Sequence, residues 1–116
     1  MITDYSLYRY GNNRCDLILI SYGSSALSAS VASKLLNEKG YKTCLLKIKS
    51  LYPINEASLK NLTEEASKIF VVENNMGLYY REIRGVLRNK DVRSVSIIDL
   101  HIIDPYEIVE EVLKSL

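Results

Sequence analysis

Short apolar, β-prone runs alternate along this chain with stretches in which apolar residues recur every three or four positions. The runs are Leu17 to Ile20 within Asp16 to Ser21, Lys42 to Ile48, Ile69 to Val72, and roughly Ser94 to Asp99. Continuous apolar runs of this length are the pattern of buried strands, and the three-to-four spacing is that of helices. After the first run, Ser28, Val31, Ala32, Leu35 and Leu36 form a helical stripe, with Ser30, Lys34, Asn37 and Glu38 opposite and Gly40 placed to end the helix near Lys39. After the second, Asn55 can cap a helix running to about Ser67, with Leu59, Leu62 and Ala66 on one side. From Met76 onward, Tyr79, Ile83, Val86 and Leu87 make a third stripe. Asp104, Pro105 and Glu107 open the last helix with an acceptor, a preset φ and an acidic first turn, and Ile108, Val109, Val112, Leu113 and Leu116 supply its packing face.

Strand followed by helix, repeated with short connections, predicts an α/β fold: a three-layer α/β/α sandwich around a mostly parallel sheet. Residues 1–15 carry Tyr5, Tyr8 and Tyr10 and end in the turn-forming Gly11-Asn12-Asn13, so they are expected to be an N-terminal linker or an antiparallel edge segment. Residues 16–116 are expected to be the domain itself.

Composition narrows the function classes. The 116 residues are 47% hydrophobic and 25% charged, values usual for a globular domain, and no apolar run approaches the roughly 20 residues of a membrane helix. A net charge of +1 with both signs interspersed argues against nucleic acid as a partner. The start, Met1-Ile2-Thr3-Asp4-Tyr5, has neither the basic nor the apolar region of a secretory signal, so a cytoplasmic location is expected. In that compartment Cys15 and Cys44, which are far apart in sequence and lack a CxxC partner, are expected to be small buried hydrophobes, and this chain is expected to bind no metal or cluster.

Candidate chemistry gathers where strands end. Tyr22-Gly23-Ser24-Ser25 turns a strand into a helix whose first N–H groups attract anions; equally, Gly23 permits the turn and Ser24 or Ser25 caps the helix. Glu73-Asn74-Asn75-Met76-Gly77 offers a carboxylate and two amides to a ligand or partner; alternatively Asn74 or Asn75 caps the next helix and Glu73 pairs with a lysine or arginine. Arg81 and Arg84 share a helical side and can meet an acidic partner. Tyr79 and Tyr80 point in different directions, so one ring can enter the core while the other faces a neighbour. Tyr52-Pro53 fixes a loop, Asp99 and Asp104 are strand-end and cap carboxylates, and His101 has no neighbour at catalytic or ligand spacing. No complete catalytic constellation is present in the sequence.

The order and spacing of Ile20-Ser21-Tyr22-Gly23-Ser24-Ser25, Lys47 to Ile54 (KIKSLYPI), and Val71-Val72-Glu73-Asn74-Asn75-Met76-Gly77 followed by Arg81-Glu82-Ile83-Arg84 resemble the C-terminal domain of the transketolase group. Within that group the likeness is to domain II of the 2-oxoacid:ferredoxin oxidoreductase α subunit, over about Asp16 to Leu116. The Glu-Asn-Asn-x-Gly run points there most specifically. The sequence departs at Leu78, where the family often has glutamine.

The resemblance implies a parent enzyme that oxidatively decarboxylates a 2-oxoacid such as pyruvate. Thiamine diphosphate with magnesium supplies the carbanion equivalent, iron–sulfur clusters pass electrons to ferredoxin, and coenzyme A takes the acyl group. In such enzymes the diphosphate, metal and cluster sites lie in other domains or subunits. This chain would be a fragment or separately expressed domain, inactive alone, that docks onto the other subunits of an oligomer through Gly23, Ser24, Ser25, Glu73, Asn74, Asn75, Met76, Gly77 and Arg81. Two other identities remain open at this point. One is an autonomous module holding an anion such as the phosphates of coenzyme A at Gly23. The other is the equivalent domain of a transketolase or a 2-oxoacid dehydrogenase E1 β subunit, against which the Asn74-Asn75 pair argues.

Overall fold

The expected alternation is what the chain adopts in the computed structural model, which describes residues 7–11, 14–23, 25–48, 56–73, 78–96 and 104–116. The strands are β1 (Leu7–Gly11), β2 (Leu17–Tyr22), β3 (Thr43–Ile48), β4 (Lys68–Glu73) and β5 (Asp91–Ser96); the helices are α1 (Ser25–Glu38), α2 (Glu56–Leu62), α3 (Leu78–Val86) and α4 (Pro105–Lys114). They build one sheet in the order β1-β3-β2-β4-β5. Every pairing is parallel except that of β1, which runs antiparallel to β3 with Gly11 opposite Cys44, so the opening segment contributes an edge strand.

Alternation along the strands sends side chains into two cores. Leu17, Leu19, Leu45, Phe70, Val72 and Val95 face α1 and α4, while Ile18, Ile20, Leu46, Ile48, Ile69 and Val71 face α2 and α3. A sheet covered on both faces is the three-layer α/β/α sandwich, and its central strands read as continuous apolar runs because neither face meets water.

The structure corrects several details. Val31 is 40% exposed, not buried; α1 packs instead through the small residues Ala29, Ala32 and Ser33 with Leu36, which allow close approach to both the sheet and α4. The Ser33 hydroxyl donates to the Thr43 carbonyl at 3.3 Å, and Asn37, expected on the solvent face, hydrogen-bonds the backbone of Ser33 and Thr43. Helix α2 ends at Leu62, short of Ser67. The Ala66 N–H turns back to the Thr63 carbonyl at 3.2 Å and the Ser67 N–H goes to the Asp16 carbonyl at 2.9 Å, so the chain has left the helix for β4 before Ser67, and the Lys90 ammonium donates to the carbonyls of Glu64 and Ala66. Strand β5 starts at Asp91, earlier than Ser94, because an edge strand tolerates charge: Arg93 grips the Asp91 carboxylate at 3.0 Å while both residues stay in the ladder. Leu116 lies past the last turn of α4 and is exposed.

The expected start of the last helix and the expected conformation of Gly40 are both found. Asp104 accepts the Tyr106 N–H at 2.9 Å with Pro105 at the first helical position, and Gly40 takes φ +95° just beyond α1. Asn55, Tyr52, Pro53, Asp99 and His101 lie outside the described residues.

The cysteines depart most from expectation. Cys15 and Cys44 are joined as a disulfide, Cα to Cα 5.9 Å, with both residues fully buried. Parallel pairing of β2 and β3 brings their first residues side by side, so a long separation in sequence becomes a contact in space.

Candidate functional site

The strand order places the site. β2 leads into α1 on one face of the sheet and its neighbour β4 precedes α3 on the other, so their C-terminal ends mark the point where the winding of the chain reverses. Such a switch point is where open α/β sheets hold their ligands and partners. The described residues of the two motifs singled out in the sequence, Tyr22, Gly23 and Ser25 of one and Glu73 of the other, lie at this end.

At this end the two strands part. Backbone pairing of β2 with β4 runs from Leu17 opposite Lys68 to Ile20 opposite Val71. One residue further the Ser21 hydroxyl, fully buried, donates to the Val72 carbonyl at 2.8 Å and continues the link by side chain. Beyond it Tyr22 and Tyr79 meet edge to face, 5.2 Å between centroids at 63°, which joins the end of β2 to the start of α3.

Glu73 is the organising group. Its side chain is fully buried, yet it meets no lysine or arginine among the described residues. One carboxylate oxygen accepts the Tyr79 N–H at 3.1 Å, and the other accepts the Tyr80 N–H at 2.9 Å. These donors belong to the first turn of α3, where N–H groups lack intrahelical acceptors and the helix dipole favours negative charge. The strand's last residue therefore caps the helix that follows, and both ends of the connection through residues 74–77 are tied to one carboxylate. The sequence leaves Glu73 between a ligand or partner and a lysine or arginine; in the structure its carboxylate caps α3.

The other predicted residues distribute as follows. Gly23 has φ +60°, a left-handed conformation that favours glycine, and its carbonyl accepts the Ala26 N–H at 3.2 Å as α1 begins. Ser25 is buried at the first position of α1. Arg81 is exposed on α3, while Arg84 stacks over the Tyr80 ring with its guanidinium 6.0 Å from the centroid and donates to the Tyr80 hydroxyl at 3.3 Å. Tyr79 is buried and Tyr80 half-buried, so the two rings do divide between core and surface. Ser24, Asn74, Asn75, Met76 and Gly77 lie outside the described residues.

Sequence reasoning passed over Ser21 as a working residue, although a lone hydroxyl closing a Leu-Ile-Leu-Ile run was the available signal. It also passed over a groove of about 220 Å³ beside Gly23, lined by Ala26, Leu27, Ser30, Leu45 and Lys47. Leu27 is 69% exposed on its wall. A cleft of about 450 Å³ between α2 and the end of α3, reaching Arg88 and Lys90, shares no residue with the strand-end rim. Among the described residues no three or more His, Cys, Asp or Glu side chains are placed to hold a metal ion, and no helix is long and apolar enough to cross a membrane.

Comparison with known proteins agrees with this architecture. Two solved structures share the fold. A 2-oxoglutarate:ferredoxin oxidoreductase from Magnetococcus marinus, with 2-oxoglutarate, coenzyme A and succinyl-CoA bound, aligns at TM-score 0.75 and 20% identity over 93% of this chain and 19% of that one. A split-gene transketolase, an inactive β4 tetramer, aligns at TM-score 0.78 and 18% identity over 94% of this chain and 41% of that one. Among curated proteins, the 2-oxoglutarate synthase subunit KorA of Methanothermobacter thermautotrophicus is 31% identical over 99 residues, 84% of this chain and 26% of that protein. KorA of Archaeoglobus fulgidus is 34% identical over 70 residues, 60% of this chain and 20% of that protein. The chain thus spans between a fifth and about a quarter of these curated relatives. The family model described as pyruvate:ferredoxin oxidoreductase core domain II matches residues 15–102. On that match the chain belongs to the core domain II family, as a domain of a 2-oxoacid:ferredoxin oxidoreductase.

Proposed function

We propose that this chain is a non-catalytic assembly domain, of the α-subunit type, of a cytoplasmic thiamine-diphosphate-dependent 2-oxoacid:ferredoxin oxidoreductase. The unit is residues 16–116, with 1–15 contributing its edge. It docks through the strand-end rim against the domains and subunits that carry the cofactors.

The observation that carries this reading is the state of Glu73. The one acidic side chain described at the rim is buried, and both its oxygens are spent on the backbone of α3. A carboxylate so engaged shapes a surface and is not presented to a substrate. The exposed Leu27 and the groove beside Gly23 add apolar area next to the same rim, which suits a protein neighbour more than a small anion. Thiamine diphosphate, magnesium and iron–sulfur clusters would supply decarboxylation and electron transfer in the whole enzyme. Among the described residues no three or more His, Cys, Asp or Glu side chains are placed to hold a metal ion, and the proposal puts those groups on other domains or subunits. The substrate is assigned only as a 2-oxoacid, the class shared by the names of the relatives and of the family model.

The test is docking. The chain, mixed with the separately prepared polypeptides of its oxidoreductase, should co-elute with them on size exclusion. Arg81→Glu, a charge reversal at an exposed position, should weaken that association by about tenfold, the scale of a rim charge. Assembly of the remaining polypeptides that excludes the wild-type chain would refute the proposal.

A further inference from the structure

Away from the rim, at the N-terminal ends of the strands, the sheet is closed by a compact knot of backbone bonds around the Cys15–Cys44 disulfide. The Asp16 N–H donates to the Lys42 carbonyl at 2.9 Å, and the Asp16 carbonyl accepts the Ser67 N–H at 2.9 Å, so the residue after Cys15 ties β2 to the starts of both β3 and β4. The disulfide adds a covalent link between the same segments, across a separation of 29 residues. The disulfide lies in the core that faces α2 and α3, and Gly11 at the end of β1 sits against its Cys44 sulfur. Gly11 lies opposite Cys44 at φ +124°, and a Cβ built there would come within 3.1 Å of the Cys44 sulfur and 3.2 Å of the Thr43 carbonyl oxygen. The edge-strand backbone reaches the sulfur this closely only because position 11 has no side chain.

We infer that Cys15 and Cys44 are a reversible dithiol–disulfide couple whose exchange with small thiols is gated by edge strand β1. Reduction consumes two small-molecule thiols. A thiolate attacks one sulfur of the pair, the mixed disulfide is resolved by a second thiol, and the products are two cysteine thiols and one small-molecule disulfide. Oxidation is the reverse, with the small-molecule disulfide as oxidant. Both cysteines are fully buried and the Gly11 backbone is packed against the Cys44 sulfur, so the attacking thiolate gains access as β1 lifts from β3. Edge strands open more readily than central ones, so the gate is a local movement that leaves the core intact.

The experiment uses the purified chain equilibrated with glutathione and glutathione disulfide, then alkylated in denaturant and weighed intact. Under oxidising ratios neither cysteine should be alkylated, and after reduction both should be. Reduction of the wild type should lower Tm by roughly 10 °C, the scale expected for opening a loop of this length in a chain of this size. The Cys15→Ala/Cys44→Ala variant should show no reductant dependence. Gly11→Ala pushes a Cβ against Cys44 and should speed native-state reduction by dithiothreitol at least about tenfold, the effect of making a local opening easier. Gly40→Ala, also at a positive φ but with open space around its Cβ, should leave that rate near the wild-type value. Two alkylated cysteines after oxidative equilibration would overturn the couple. Equal reduction rates for wild type and Gly11→Ala would overturn the gate.

Discussion

Replacing Glu73 with alanine should destabilise the domain by about 3 kcal/mol and strip hydrogen-exchange protection from the Tyr79 and Tyr80 amides. The loss follows from what the carboxylate does. It accepts the N–H groups of Tyr79 and Tyr80 from within a site that water does not reach, and a buried donor left without its acceptor costs about 1–3 kcal/mol. Removal of the side chain also leaves a small void and withdraws negative charge from the positive end of α3. Glu73→Gln separates these contributions. Its amide oxygen still accepts one N–H, but its NH₂ faces the other donor, so it should lose about half as much. Chemical denaturation measures the stabilities, and amide exchange locates them. Loss of stability below about 0.5 kcal/mol for Glu73→Ala, within the range of an ordinary surface substitution, would mean that the carboxylate does not hold α3.

Phe70→Ala should cost more, about 4 kcal/mol, or a fall in Tm of roughly 15 °C. Phe70 is the chain's one phenylalanine, fully buried on β4 between β2 and β5. It packs in the core formed with α1 and α4, among Ala29, Ala32, Leu36, Ile108 and Val112. The small residues of α1 leave space that only a large ring fills, so an alanine at position 70 opens a cavity that two rigid layers cannot close. Phe70→Leu restores most of the volume and should recover more than half of the loss. Equal effects of alanine and leucine would show that the layers collapse around the site.

Much of this architecture could be read from the sequence, and the places where it could not have a common cause. Leu17 to Ile20 and Ile69 to Val72 announce strands buried on both faces, and Asp104-Pro105 announces a capped helix, because each depends on near neighbours. The buried face of α1 does not depend on near neighbours alone. Hydrophobicity selects Val31, whereas packing against two layers selects Ala29 and Ser33, whose merit is small size. The end of α2 before Ser67 is set by Asp16, a residue distant in sequence whose carbonyl takes the Ser67 N–H. The disulfide follows from the register of β2 on β3, which no periodicity encodes. At the rim, the Glu-Asn-Asn-x-Gly run drew attention to Glu73. The role of Glu73 stayed open because a carboxylate at a strand end serves a ligand or a helix equally well until its burial and partners are known.

The central claim, that this domain lends shape and docking surface to an enzyme whose chemistry lies elsewhere, has one direct measurement: 2-oxoacid- and coenzyme A-dependent reduction of a viologen dye, with thiamine diphosphate and magnesium supplied. The chain should give no turnover alone, and turnover by the remaining polypeptides should rise as the chain is added and level off at equimolar ratio. Dye reduction by the isolated chain, or equal rates from those polypeptides with and without it, would contradict the account.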